Sequence, residues 1–169
     1  MTRYWFSRKY EINFLGIPKT GCSSICAMLD IDIDKDWAKS PVKNYKTFTV
    51  LREPIDRAVS AYYETLRRGT LGKGATIDDY ITKINQCGFF DNHCEPMVNY
   101  FKDCEYVLIF EKGLINQLKK LIPASLVRHT ENVTPAHKKI ILNKEQRIRL
   151  ENIYAQDIKL YNYFLTKYK

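Results

Sequence analysis

The chain has 169 residues, 45% of them hydrophobic and 27% charged, the balance of a globular domain rather than of a disordered or fibrous chain. A chain of this size buries roughly 70% of the surface it exposes when unfolded, so one domain over residues 1–169, without disulfide or metal staples, is expected. Its longest apolar run is five residues, Tyr106 to Phe110, against the roughly 20 of a spanning helix, and the first residues hold no apolar core of signal-peptide length; no membrane span and a cytoplasmic location are expected.

Glu11 to Ile17 is a short apolar run closed by Pro18, and it predicts a buried strand entering a loop. A helix follows, with Ser23 and Ser24 as caps and Ile25, Cys26, Met28 and Leu29 as its apolar face, before the acidic stretch Asp30, Asp32, Asp34 and Asp36. Tyr45 to Leu51 predicts a second strand, and Pro54 suits the first turn of a helix running through Arg67. Gly69 to Gly74 is a loop. Thr76 and Asp79 make a capping box for a helix ending near Gly88, Glu105 to Phe110 a third strand, and Leu114 to Leu121 a helix. Asn143 and Gln146 cap a long C-terminal helical region. Strands alternating with helices predict an α/β fold with a central parallel sheet flanked by helices.

The net charge is +8, and all of the excess lies in the last third: residues 1–111 carry 15 basic and 15 acidic side chains, residues 112–169 carry 12 and 4. That segment, with Lys119, Lys120, Arg128, Lys138 and Lys139, is either a solvated face or the surface for an anionic partner. The five cysteines, Cys22, Cys26, Cys87, Cys94 and Cys104, include no C-x-x-C pair and no zinc spacing, so they read as packing residues and no metal is expected. Asn132-Val133-Thr134 has the form of a glycosylation site and reads as an unmodified loop.

Strand, then Pro18-Lys19-Thr20-Gly21-Cys22-Ser23-Ser24, then helix is an arrangement in which main-chain N–H groups cradle a phosphate or sulfate, with Lys19 as a point charge. Lys19 precedes the glycine instead of following it, which is not the Walker A spacing and speaks against an ATPase, a GTPase or a nucleotide kinase. Strand, turn and helix recur at Val50 to Tyr63, where Arg52, as a planar fork, and Ser60, by its hydroxyl, can donate to one phosphate. Arg57 reads there as a salt-bridged residue of the helix start.

Ile17 to Ser24 resembles the 5′-phosphosulfate-binding loop of sulfotransferases that use 3′-phosphoadenosine 5′-phosphosulfate (PAPS), and Leu51-Arg52-Glu53-Pro54 through Arg57 and Ser60-Ala61-Tyr62-Tyr63 resembles their 3′-phosphate motif. The closest flavour is the carbohydrate sulfotransferase group. Asp91 to Pro96, with His93, resembles a further family segment, as do Tyr106 to Lys112 and Tyr154 to Tyr161.

The resemblance implies a single-domain, P-loop-like, three-layer sandwich. It implies in-line sulfuryl transfer from PAPS to an acceptor hydroxyl, of a carbohydrate or a small molecule, with adenosine 3′,5′-bisphosphate as product. Lys19 would meet the charge growing on the bridging oxygen, Pro18 to Ser24 would hold the 5′-phosphosulfate, and Arg52 and Ser60 the 3′-phosphate. The base is His93 or one of Asp30, Asp32, Asp34 and Asp36, since no His or Glu lies between Pro18 and Leu51. A non-catalytic module of the same fold, binding a sulfated glycan or nucleic acid through the basic third, is the alternative; nucleic acid is the less expected partner.

Overall fold

The computed structural model describes residues 3–102, 104–122 and 140–167. They group into two compact units: Met1–Arg52 with Tyr100–Val133, and Glu53–Asn99 with Thr134–Lys169. Arg128, Lys138, Lys139 and the Asn132-Val133-Thr134 site fall outside the described residues; Lys119 and Lys120 are exposed.

In the first unit, five strands form one sheet: β1 (Arg3–Ser7), β2 (Ile12–Gly16), β3 (Trp37–Ala38), β4 (Lys46–Leu51) and β5 (Tyr106–Ile109), in the order β3-β1-β2-β4-β5. Strands β2, β4 and β5 are parallel, with Leu15 opposite Thr49 and Leu51 opposite Ile109, so their C-terminal ends come out together. This is the parallel centre of an α/β fold that the alternation of strands and helices predicts. Two antiparallel strands, β1 and β3, extend it. β1 escapes sequence reading because Tyr4 and Trp5 are buried in succession, which hides the period-two signal. β3 has two residues, too few for any period.

Strand β2 is buried along its whole length, as a strand flanked on both sides in a sheet centre should be. Trp5, Phe14 and Phe48 stack across β1, β2 and β4 with centroids 5.8 and 5.0 Å apart, each pair adding about 0.5–1.5 kcal/mol beyond its burial. Trp5 lies across Gly16, where a Cβ would come within 1.7 Å of the indole, so only glycine fits beneath that ring. Asn13 is fully buried and bonds Val42 N–H, Val42 O and Tyr45 O, which fastens the approach to β4. Helices α1 (Cys22–Met28) and α4 (Leu114–Leu121) pack Ile25, Cys26, Met28, Leu118 and Leu121 into the same core.

The expected cap is corrected here. Helix α1 begins at Cys22, so Ser23 and Ser24 lie within its first turn, and its N-cap is Gly21, at φ 94°, with no side chain to donate or accept.

The second unit is helical: α2 (Pro54–Arg68), α3 (Ile77–Cys87), α5 (Lys144–Ile153) and α6 (Ala155–Lys167), with a 3₁₀ turn at Met97–Asn99. The Thr76/Asp79 and Asn143/Gln146 capping boxes form as their spacing predicts. The C-terminal helical region is two helices because the chain bends at Tyr154, φ −102° and ψ 25°. Ile55, Ala58, Ala61, Tyr80, Ile81, Ile84, Leu150 and Tyr154 make this unit's core.

Candidate functional site

The first motif forms a tight turn organised on one carbonyl. Ile17 O accepts the Thr20 N–H at 3.3 Å, the Thr20 hydroxyl at 2.8 Å and the Cys22 thiol at 3.0 Å. Thr20 is buried with its N–H and hydroxyl both directed to Ile17, so it shapes the loop from inside. Cys22 acts likewise: burial pushes its thiol up to about 11, which keeps it protonated and able to donate.

Lys19 sits at φ 68° and Gly21 at φ 94°. A non-glycine residue in this region costs on the order of 1 kcal/mol and persists only where its surroundings fix it. Here the fixing group is Arg52, at the end of β4, whose Nη1 donates to Lys19 O at 3.2 Å. The Arg52 guanidinium also lies 5.0 Å from the centre of the Phe110 ring, at the end of β5. A Cβ on Gly21 would come within 2.9 Å of the same ring, so Gly21 is required both by its backbone angle and by Phe110.

The turn after β2, Arg52 after β4 and Phe110 after β5 therefore meet at the C-terminal edge of the three parallel strands, where open α/β sheets bind ligands. Pro18, Lys19, Gly21, Cys22, Ser23 and Ser24 are all half-buried around this edge. The first-turn N–H groups of α1 face out of the helix start, as in any α-helix. Lys19 and Arg52 add two cations, so the edge offers N–H, hydroxyl and cationic donors suited to phosphate or sulfate oxygens. Phe110 was legible only as part of a strand ending; its contact with Gly21 and Arg52 is a product of parallel register.

The four aspartates lie at the other end of the first unit. Asp30 pairs with Lys9 at 3.8 Å and Asp36 with Arg8 at 3.5 Å, both in the β1–β2 turn that precedes β2. Asp36 O accepts from Phe6 N–H, Asp32 carries Lys35 at 3.2 Å, and Asp34 N–H donates to Asp32 Oδ1. Helix α1 carries the chain from the C-terminal edge of the sheet back to its N-terminal edge, which separates these carboxylates from Lys19.

Ser60 and His93 belong to the second unit. Ser60 is half-buried on α2. His93 is held by Asp91, whose Oδ1 is 2.6 Å from Nδ1 and 2.8 Å from the His93 N–H. Burial pulls the imidazole below its ordinary range, against the opposing pull of Asp91. Burial also works against the Asp91 charge, but the His93 N–H and imidazole outweigh it and hold that carboxyl low. The carboxylate accepts from Nδ1–H and leaves Nε2 as the basic nitrogen. Asp91 is the residue sequence reading missed; its signal was a carboxylate two positions before a histidine, too common a pattern to single out.

Both shifts have the same sign for stability. With folded-state values below the unfolded ones, stability falls as pH drops, from about 6.5 for His93 and again through about 3.9 for Asp91. His93→Gln is expected to flatten the first of these two losses. Urea midpoints measured between pH 7 and 5 check it; an unchanged slope would remove His93 as its source.

Among the described residues no group of His, Cys, Asp and Glu could hold a metal ion, and no helix is long and apolar enough to cross a membrane. No curated protein and no solved structure matches the chain. The sulfotransferase family model matches residues 2–105, a span that holds the Lys19 loop, the Arg52 motif and the Asp91–His93 segment. With more than half of its length in that match, the chain belongs to the sulfotransferase family.

Proposed function

We propose that this enzyme transfers a sulfuryl group from PAPS to the hydroxyl of a carbohydrate or small-molecule acceptor, and that its two units serve as one sulfotransferase domain. The motif from Leu51 to Tyr63 and the family match both run through the two units, which supports that last point. The observation that carries the reading is the meeting of the Lys19 loop, Arg52 and Phe110 at the C-terminal edge of β2, β4 and β5.

The residues at this edge fit a nucleotide bearing a 5′-phosphosulfate. Gly21 lets the turn pass tightly under the Phe110 ring, and no carboxylate lies among the loop residues from Pro18 to Ser24. PAPS, when bound, supplies a sulfuryl group whose bond to the 5′-phosphate oxygen breaks as the bond to the acceptor oxygen forms. Lys19 sits on the loop that faces that bridging oxygen in this reading, and its ammonium offsets the charge growing there. Ser23 and Ser24 add hydroxyls and N–H groups, and Pro18, Thr20 and Cys22 hold the turn in shape. Arg52 takes the 3′-phosphate, to which the motif resemblance adds Ser60. His93, with Nδ1 held by Asp91, takes the acceptor proton at Nε2; a His93→Ala protein that keeps full turnover would remove it from that role.

Calorimetric titration with adenosine 3′,5′-bisphosphate, with AMP and ATP as controls, tests the donor site. Saturable binding that needs the 3′-phosphate is expected, and equal binding of ATP would overturn the reading. Arg52→Ala is expected to weaken adenosine 3′,5′-bisphosphate about 10-fold or more, the loss of a charge-assisted hydrogen bond, and to weaken AMP far less, by way of the Lys19 carbonyl that Arg52 also holds. Equal losses for both nucleotides would move Arg52 from phosphate recognition to loop support alone.

A further inference from the structure

Directly after His93 the chain has no regular structure until the 3₁₀ turn at Met97, and there the second unit concentrates its buried polar side chains. Tyr154 OH donates to Cys94 O at 2.7 Å, and Arg57 Nη2 donates to Glu95 O at 2.6 Å. Asp157 accepts from Met97 N–H at 2.8 Å and from Val98 N–H at 3.0 Å. Arg57 and Asp157 face each other at 3.7 Å, and Tyr80 OH lies 3.1 Å from Tyr154 OH. Arg57 and Asp157 are fully buried and Tyr154 is 1% exposed.

Such a network is costly to bury, and well-packed apolar residues commonly give equal or greater stability. What polar side chains add is direction. Three of them, from α2, the α5–α6 bend and α6, converge on four main-chain groups between Cys94 and Val98, a segment that cannot slide without breaking several bonds at once.

We propose that Arg57, Tyr154 and Asp157 are positioning residues that fix the main chain from Cys94 to Val98 and thereby hold His93 for proton transfer. The inference rests on the reading of His93 as the base. Asp91 orients the ring from one side of the segment while the clamp fixes the main chain on the other, and a base displaced by about 1 Å can lose on the order of 10²-fold in rate. Among the described residues, the charged groups facing His93 are Asp91 and, from α2, Glu64 and Arg68; none of them belongs to the clamp.

The test compares Tyr154→Phe with Tyr80→Phe. Each removes one buried hydroxyl from the same Tyr–Tyr contact, but only Tyr154 reaches Cys94 O, so destabilisation common to both cancels. Long-range proton–nitrogen spectra of the imidazoles, with His93 assigned among the three histidines by a His93→Gln variant, give its tautomer and titration midpoint. The unaltered protein and Tyr80→Phe are expected to show one tautomer, protonated at Nδ1, with the same midpoint. Tyr154→Phe is expected to show mixed tautomers and a higher midpoint, with PAPS turnover down about 10-fold or more and affinity for adenosine 3′,5′-bisphosphate unchanged. An unchanged His93 spectrum in Tyr154→Phe, or equal changes in both variants, overturns the proposal. Full turnover in His93→Ala would instead overturn the base assignment, and the two failures are distinguishable because the spectra report ring position without turnover.

Discussion

Lys19→Ala is expected to slow PAPS turnover by roughly 10²–10³-fold, the usual loss when one donor to a developing anion is removed. In-line transfer leaves a protein little covalent work, so charge placed at the leaving oxygen is the largest single effect this loop can supply. The backbone around Lys19 is held independently of its side chain, by Arg52 on its carbonyl and by the Thr20 and Cys22 bonds to Ile17 O. The variant should therefore fold with an unchanged melting temperature, and its defect should lie in kcat more than in nucleotide affinity. Single-turnover release of adenosine 3′,5′-bisphosphate, measured beside calorimetric affinity, separates the two. A rate within a few-fold of the unaltered protein would show that main-chain N–H groups, and not Lys19, meet the charge.

Asp157→Ala is expected to cost about 3–5 kcal/mol, as breaking a buried ion pair commonly does. The carboxylate faces Arg57 at 3.7 Å with both side chains fully buried, and it accepts the Met97 and Val98 N–H groups. Its loss leaves a buried guanidinium without its counter-charge and two N–H donors without their acceptor. Set against the roughly 5–15 kcal/mol of a typical domain, this is enough to populate unfolded chain near body temperature. Denaturant midpoints measure it, and a loss under about 1 kcal/mol would mean that water replaces the carboxylate. Burial pushes the Asp157 carboxyl above its ordinary range, so this group favours the folded state more as pH falls; acid unfolding is expected to come from His93 and Asp91 instead.

The residues of the chain by themselves determined the parallel strands, both capping boxes and the two motifs that identify the family, because each is written in local spacing: apolar runs ended by proline, Thr76 before Asp79, Lys19 before Gly21. They left Arg57 as a salt-bridged residue without naming its counter-ion, since Asp157 lies a hundred positions on and only packing brings the two together. Tertiary structure alone decided that Phe110 closes over Gly21 and Arg52, that Asp30 to Asp36 stand at the opposite edge of the sheet from Lys19, and that Asp91 orients His93. Parallel register sets strand ends side by side whatever their distance in sequence, and burial selects which polar groups must find each other; neither is visible in a window of ten residues.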